Sequence, residues 1–172
     1  MFDFSSAPLP VKTDLVEAFV GVWHRLASAG TWWDGTERVA IAAVARAAYE
    51  STDCPTGALL DAAIDAAQVL GATPAAVTEA HVGRWEHDGL DAFRYVELIG
   101  VVSQITAVDT VHRALGVELE QLPTPVAGKP SQQPPLAPAK VGKAWVPMIG
   151  PPNIPISLSA VPSEMAALES LH

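Results

Sequence analysis

Cys54 is the single cysteine in 172 residues. It follows Ser51-Thr52-Asp53 and precedes Pro55, so it stands at a turn between two helical stretches, where a thiol can be presented to a cavity. A thiol attacks as its thiolate, and the carboxylate of Asp53 next door works against that form. A lone cysteine is also commonly a small buried hydrophobe. Glu97 is the second candidate. It shares a helical face with Gly100 and Gln104, where a small residue allows close helix approach and two polar groups can reach a pocket. Pairing of Glu97 with Arg94 or Arg113, or plain exposure, is the simpler reading. His112 falls on an apolar stripe and reads as a hydrogen-bonded core histidine rather than a base or ligand. His81 and His87 bracket Trp85 and Glu86 without a strong metal-ligand spacing. His24 falls on the surface of the first helix. There is no glycine-rich phosphate loop and no Gly-x-Ser-x-Gly nucleophile turn. No metal and no cofactor is expected.

The elements that must position these groups are helices. Asp34 followed by Glu37 fits a capping box. Behind it Val39, Ile41, Ala42, Ala43, Val44 and Ala45 make a nearly continuous apolar run, as in a helix buried on most sides. That helix ends at Ser51–Asp53, and Pro55 and Gly57 prevent its continuation. Ahead of it, Thr13 serves as N-cap of a first helix reaching about Ser28, with Leu15, Phe19, Val22, Trp23 and Leu26 at helical spacing. Trp32 and Trp33 fill the connection and read as core packing beneath a loop rather than a stacking platform. A third helix is expected from about Gly57 to Leu70, stopped by Gly71. Thr73-Pro74 signals the start of a fourth that breaks near Asp88-Gly89. The fifth and longest runs from about Asp91 to Leu115, closed by Gly116. Leu98, Val101, Ile105, Val108, His112 and Leu115 form one stripe, and Tyr95, Ile99, Val102 and Thr106 another, so this helix is central.

Composition divides the chain. Eleven of the fifteen prolines lie between Pro123 and Pro162. Up to Leu122 there are seventeen acidic side chains against seven basic ones; beyond it, three lysines and two glutamates. The expected organisation is a helical domain over 1–122, a proline-rich extended arm over 123–162 and the start of a further helix over 163–172. Val141, Ala144, Trp145, Val146, Met148 and Ile149 are more apolar than a solvated linker favours, so the arm is expected to dock near Trp145, on the bundle or on a partner. The net charge of -9 argues against nucleic acid as a partner. One cysteine excludes an internal disulfide framework and Cys-x-x-Cys zinc sites. No signal peptide is visible, and no run approaches the roughly 20 apolar residues of a membrane helix. A soluble, cytoplasmic protein is the expectation, with no membrane partner.

The central segment, with Trp23-His24-Arg25-Leu26-Ala27 ahead of it and Arg38 opening it, resembles the AhpD-like alkylhydroperoxidase and carboxymuconolactone decarboxylase superfamily. Tyr95 to Ile99, Arg113 to Gly116, Leu122 to Pro130 and Trp145 to Met148 are similar to the front half of longer, two-part members. The resemblance implies an all-α, AhpD-like bundle of about five helices, an extended arm and a short C-terminal helix. Peroxidase-active members carry a glutamate just after the opening arginine, a Cys-x-x-Cys pair, and a histidine four residues beyond the second cysteine. One thiolate attacks the peroxide, the other resolves the sulfenic acid, and the glutamate and histidine relay the proton. With Arg38 as the opening arginine, these positions hold Val39, Ser51, Cys54 and Ala58.

One functional group of four survives, and no dithiol can form within one chain. The resemblance therefore implies a catalytically degenerate half that scaffolds or completes an oligomeric or two-part peroxidase-like assembly, with a second copy or a C-terminal partner half. The alternatives are an active one-cysteine hydroperoxidase using Cys54 with an outside thiol reductant, and a decarboxylase-like lyase with a Glu97 pocket. A non-catalytic small-molecule binding bundle is the third reading.

Overall fold

The computed structural model describes residues 2–55, 57, 59–142, 145–149 and 158–164. The protein is mainly α-helical. Helix α1 spans Thr13–Ala27, α2 Gly35–Glu50, α3 Asp61–Ala72, α4 Glu79–His87 and α5 Ala92–Leu115. A single 3₁₀ turn, Pro74–Ala76, precedes α4. The arm adds two short antiparallel strands, β1 (Lys140–Val141) and β2 (Pro147–Met148), with Lys140 opposite Met148. No described helix is long and apolar enough to cross a membrane.

Local chemistry accounts for the ends of most helices. Asp34 accepts from the Glu37 amide at 2.9 Å, and the Glu37 carboxylate accepts from the Asp34 amide at 2.8 Å, so the capping box closes at both ends. Asp91 accepts from the amides of Phe93 and Arg94 and starts α5, and Gly116, at φ 65°, ends it in the left-handed conformation.

Boundaries of three helices differ from the sequence reading. Thr13 is the first residue of α1 and not its cap; Lys12 holds the N-cap position, and no side chain caps the helix. The chain is non-helical from Ser51 to Leu60 among its described residues, and α3 begins at Asp61 and runs through Gly71 to Ala72. Gly71 is not a stop signal. It is buried against α2, where a Cβ would collide with the carbonyl of Ala45, so its smallness serves helix packing. The Thr73-Pro74 signal yields only the 3₁₀ turn. The cap of α4 is Thr78, whose hydroxyl receives the His81 amide while His81 Nδ1 accepts from the Thr78 amide at 3.2 Å. A histidine thus fills the place that glutamate or glutamine takes in an ordinary capping box.

The main core joins α2, α3 and α5. Ile41, Ala42, Val44 and Ala45 of α2 meet Ala62, Ala63, Ala66 and Ala67 of α3, and Val96, Leu98, Val101, Val102 and Ile105 come from α5. Alanine on both α2 and α3 brings their backbones close. Trp33 is buried, donating its indole N–H to the carbonyl of Arg94, and so packs as core. A smaller cluster of Phe19, Val22 and Val108 is covered by Phe2 and Phe4 of the N-terminal segment.

The proline-rich segment is hydrogen-bonded to the bundle. Val126, Ser131 and Gln132 donate their amides to the carbonyls of Ala27, Gly30 and Thr31. Near the β-strands it is Val146, not Trp145, that enters the core; Trp145 stays 37% exposed, with φ 60°. Residues 162–164 form a helical turn, and the remainder of the expected last helix, like Ala58 and Ala144, lies outside the described residues.

Candidate functional site

The apolar face of α2 carries one buried guanidinium, Arg38, which is 2% exposed. A cation in that position must be paired. Its Nη1 donates to Glu97 Oε1 of α5 and, at 2.8 Å, to Glu164 Oε1 of the C-terminal turn. Glu97 is fully buried, and Glu164 nearly so. The second oxygen of Glu97 accepts from the Trp32 amide at 2.6 Å, and that of Glu164 accepts from Gln104 Nε2 at 2.8 Å. The turn bearing Glu164 is held to the α1–α2 connection by Thr31, which donates to Ser163 Oγ at 2.9 Å and accepts from the Ser163 amide.

Two glycines make room for this arrangement. A Cβ at Gly30 would strike Glu97 and Arg38, and one at Gly100 would strike the Glu164 carboxylate. Gly100 therefore serves the entry of a side chain from the far end of the chain, rather than close approach of a helix.

One guanidinium faces two carboxylates out of water. Burial opposes the charge of Glu97, and the negative charge of Glu164 adds to this, so Glu97 titrates above its ordinary range despite Arg38 and the Trp32 amide. Burial also opposes the charge of Arg38, but Glu164 and Glu97 outweigh it and hold the guanidinium above its usual value.

The expected partners of Glu97 are corrected by this geometry. Arg94 lies 3.7 Å from Asp91, and Arg113 pairs with Glu50 at 3.1 Å and Asp109 at 3.6 Å; neither reaches Glu97, which is not exposed either. Glu97 and Gln104 do share a face, but it points into the Arg38–Glu164 cluster. Both oxygens of Glu97 are engaged, so it acts as a positioning residue for Arg38. A second arginine of α2, the part-buried Arg46, grips Asp109 of α5 with Nε and Nη2 at 2.8 and 2.7 Å and donates Nη1 to the Glu120 carbonyl.

A cavity of about 230 Å³ opens beside Arg38. Arg25, His24, Gly30 and Ser163 are among its walls, while Glu97 and Cys54 are not. Cys54 is half-buried against the main core, and among the described residues its Sγ reaches only the Val44 carbonyl, at 4.0 Å. Ser51, which takes the first cysteine position of the family pattern, is the left-handed C-cap of α2 and is exposed. His112 is buried with Nδ1 2.9 Å from the Val108 carbonyl, His24 is exposed, and His81 is used in its cap. Among the described residues no three histidine, cysteine, aspartate or glutamate side chains converge as a metal site requires. Comparison with family models, curated proteins and solved structures returns no match.

Proposed function

We propose that this chain is an alkylhydroperoxidase-like helical half of the AhpD type without thiol redox chemistry of its own, and that it scaffolds or completes an oligomeric or two-part assembly. The observation that carries this reading is the setting of Cys54. Its sulfur faces a backbone carbonyl, with no second thiol in the chain and no basic side chain bonded to it among the described residues. Peroxide reduction needs a thiolate, a proton relay and a resolving thiol. A lyase built on Glu97 is disfavoured by the same standard, because that carboxylate is fully buried, doubly bonded and absent from the walls of the adjoining cavity. The apolar side chains left outside, among them Leu136, Val141 and Trp145 on the arm, suit the assembly role.

Solution mass of the full chain over a range of concentrations tests the assembly role, with hydroperoxide turnover measured on the same sample. The proposal expects an associated, inert protein. A protein that stays monomeric at every concentration removes the scaffold role, and thiol-dependent turnover removes the degeneracy.

A further inference from the structure

The cavity beside Arg38 has a wall composition that the rest of the chain does not predict. The protein carries a net charge of -9, yet among the described residues two arginines and a histidine line this cavity and no carboxylate does. The two arginines differ in what they already hold. Arg38 is fixed by Glu97 and Glu164, so its position at the cavity wall is set by the fold. Arg25, on the last turn of α1, makes no ion pair or hydrogen bond through its side chain among the described residues, and its Nε–H is buried without an acceptor. Arg38 Nε–H is likewise buried and unpartnered among the described residues. A buried donor on a charged group is costly to leave unmatched. Burial holds the Arg25 pKa below its ordinary value; the attraction of Glu164 opposes this, and the smaller repulsion from Arg38 adds to it.

We infer that this cavity binds a small organic carboxylate, with Arg25, unpaired among the described residues, as the cation that receives it and Arg38, its charge already offset by two glutamates, as a rigid wall beside it. Guanidinium N–H groups match the two oxygens of a carboxylate in geometry and charge. The hydroxyl of Ser163 and the imidazole of His24 stand at the same cavity. Its volume of about 230 Å³ is that of roughly seven liquid waters. That admits a short-chain acid. Ala29 and Gly30 form the apolar part of the lining, which suits a hydrocarbon tail better than a second charged end. The inference is independent of the assembly role, since it concerns only groups within one chain.

The test is calorimetric titration of the full chain, in a buffer free of carboxylate and phosphate, with butyrate, its neutral isostere butyramide, and inorganic phosphate. Wild type is expected to bind butyrate saturably and one to one, and butyramide at least tenfold more weakly. Arg25→Gln is expected to weaken butyrate binding tenfold or more; since the Arg25 side chain makes no hydrogen bond or ion pair among the described residues, the variant should unfold close to the temperature of the wild type. Equal binding of butyrate and butyramide, or no butyrate binding at all, overturns the inference whether or not the variant folds. Binding of phosphate more tightly than butyrate overturns the carboxylate assignment and makes this an inorganic-anion site. Unchanged butyrate affinity in folded Arg25→Gln overturns the role of Arg25.

Discussion

Arg38 on α2 and Glu164 in the C-terminal turn are 126 residues apart in sequence and meet at 2.8 Å inside the protein. This pair, with Glu97, ties the end of the described chain into the bundle. A buried ion pair is weak evidence of net stability, because desolvation offsets much of the attraction, but removal of one member is expensive. Arg38→Met leaves two buried carboxylates facing each other and is expected to cost about 3–5 kcal/mol. Glu164→Ala still leaves Arg38 with Glu97, and mainly strands Gln104 Nε2 and opens a hole above Gly100; about 2–4 kcal/mol is expected. Urea unfolding of the two variants checks both the size and the order of these losses.

The glycine at position 100 gives a sharper case, because two effects oppose each other. Replacing glycine by alanine within a helix ordinarily gains about 1 kcal/mol. Here the new methyl would overlap the Glu164 carboxylate, and overpacking of this kind costs about 1–3 kcal/mol. Gly100→Ala is expected to be net destabilising in the wild type. In a Glu164→Ala background the clash is gone, and the same change should become neutral or stabilising. A thermal-unfolding double-mutant cycle reads the coupling directly. Additive effects would mean that Glu164 does not lie over Gly100.

Glu97 sets a pH dependence. Its pKa is raised in the folded protein, by burial first and by Glu164 second. A raised pKa means the folded state holds the proton more tightly than the unfolded chain. The stability this contributes is present in full below the unfolded value, about 4.3 for glutamate, and is lost as pH rises through the folded value. Wild-type stability relative to Glu97→Gln should therefore fall as pH is raised across that window. The Gln variant pays a roughly constant penalty of about 1–3 kcal/mol, since its amide N–H faces a donor. Unfolding free energies at a series of pH values check this. A difference that grows in favour of the wild type with rising pH would show Glu97 stabilised as the anion.

Arg46 offers a test of geometry rather than charge. It holds Asp109 through two nitrogens and the Glu120 carbonyl through the third. Lysine keeps the charge but not the fork. Arg46→Lys is expected to lose about 1–3 kcal/mol, seen as a lower urea midpoint with the unfolding slope unchanged. A midpoint equal to the wild type would assign the contact to charge alone.

Much of the helical framework was legible because it is written in local chemistry. The Asp34/Glu37 box and Gly116 each act within a few residues of themselves, and the two-stripe pattern of α5 announced a central helix. Gly71 was misread and Thr78 was missed, for opposite reasons. Gly71 looks like a stop but answers to a backbone on another helix, and Thr78 caps through a histidine that the usual pattern omits. The site was less legible. Cys54 drew attention by its uniqueness, and the buried chemistry lies elsewhere. A signal existed: Arg38 and Arg46 are charges inside an apolar helix, and Glu97 and Asp109 are charges inside another, so each needed a buried partner. Which acid meets which arginine depends on how α2 and α5 pack. The entry of Glu164 depends on the path of the whole arm, and no local pattern encodes that.

The most direct test of the account is hydroperoxide consumption by the full chain in excess small-thiol reductant, beside Cys54→Ser. Wild type and variant are expected to consume organic hydroperoxide at the same background rate while both remain folded. Turnover by the wild type that vanishes in Cys54→Ser would contradict it, and would make Cys54 a working nucleophile.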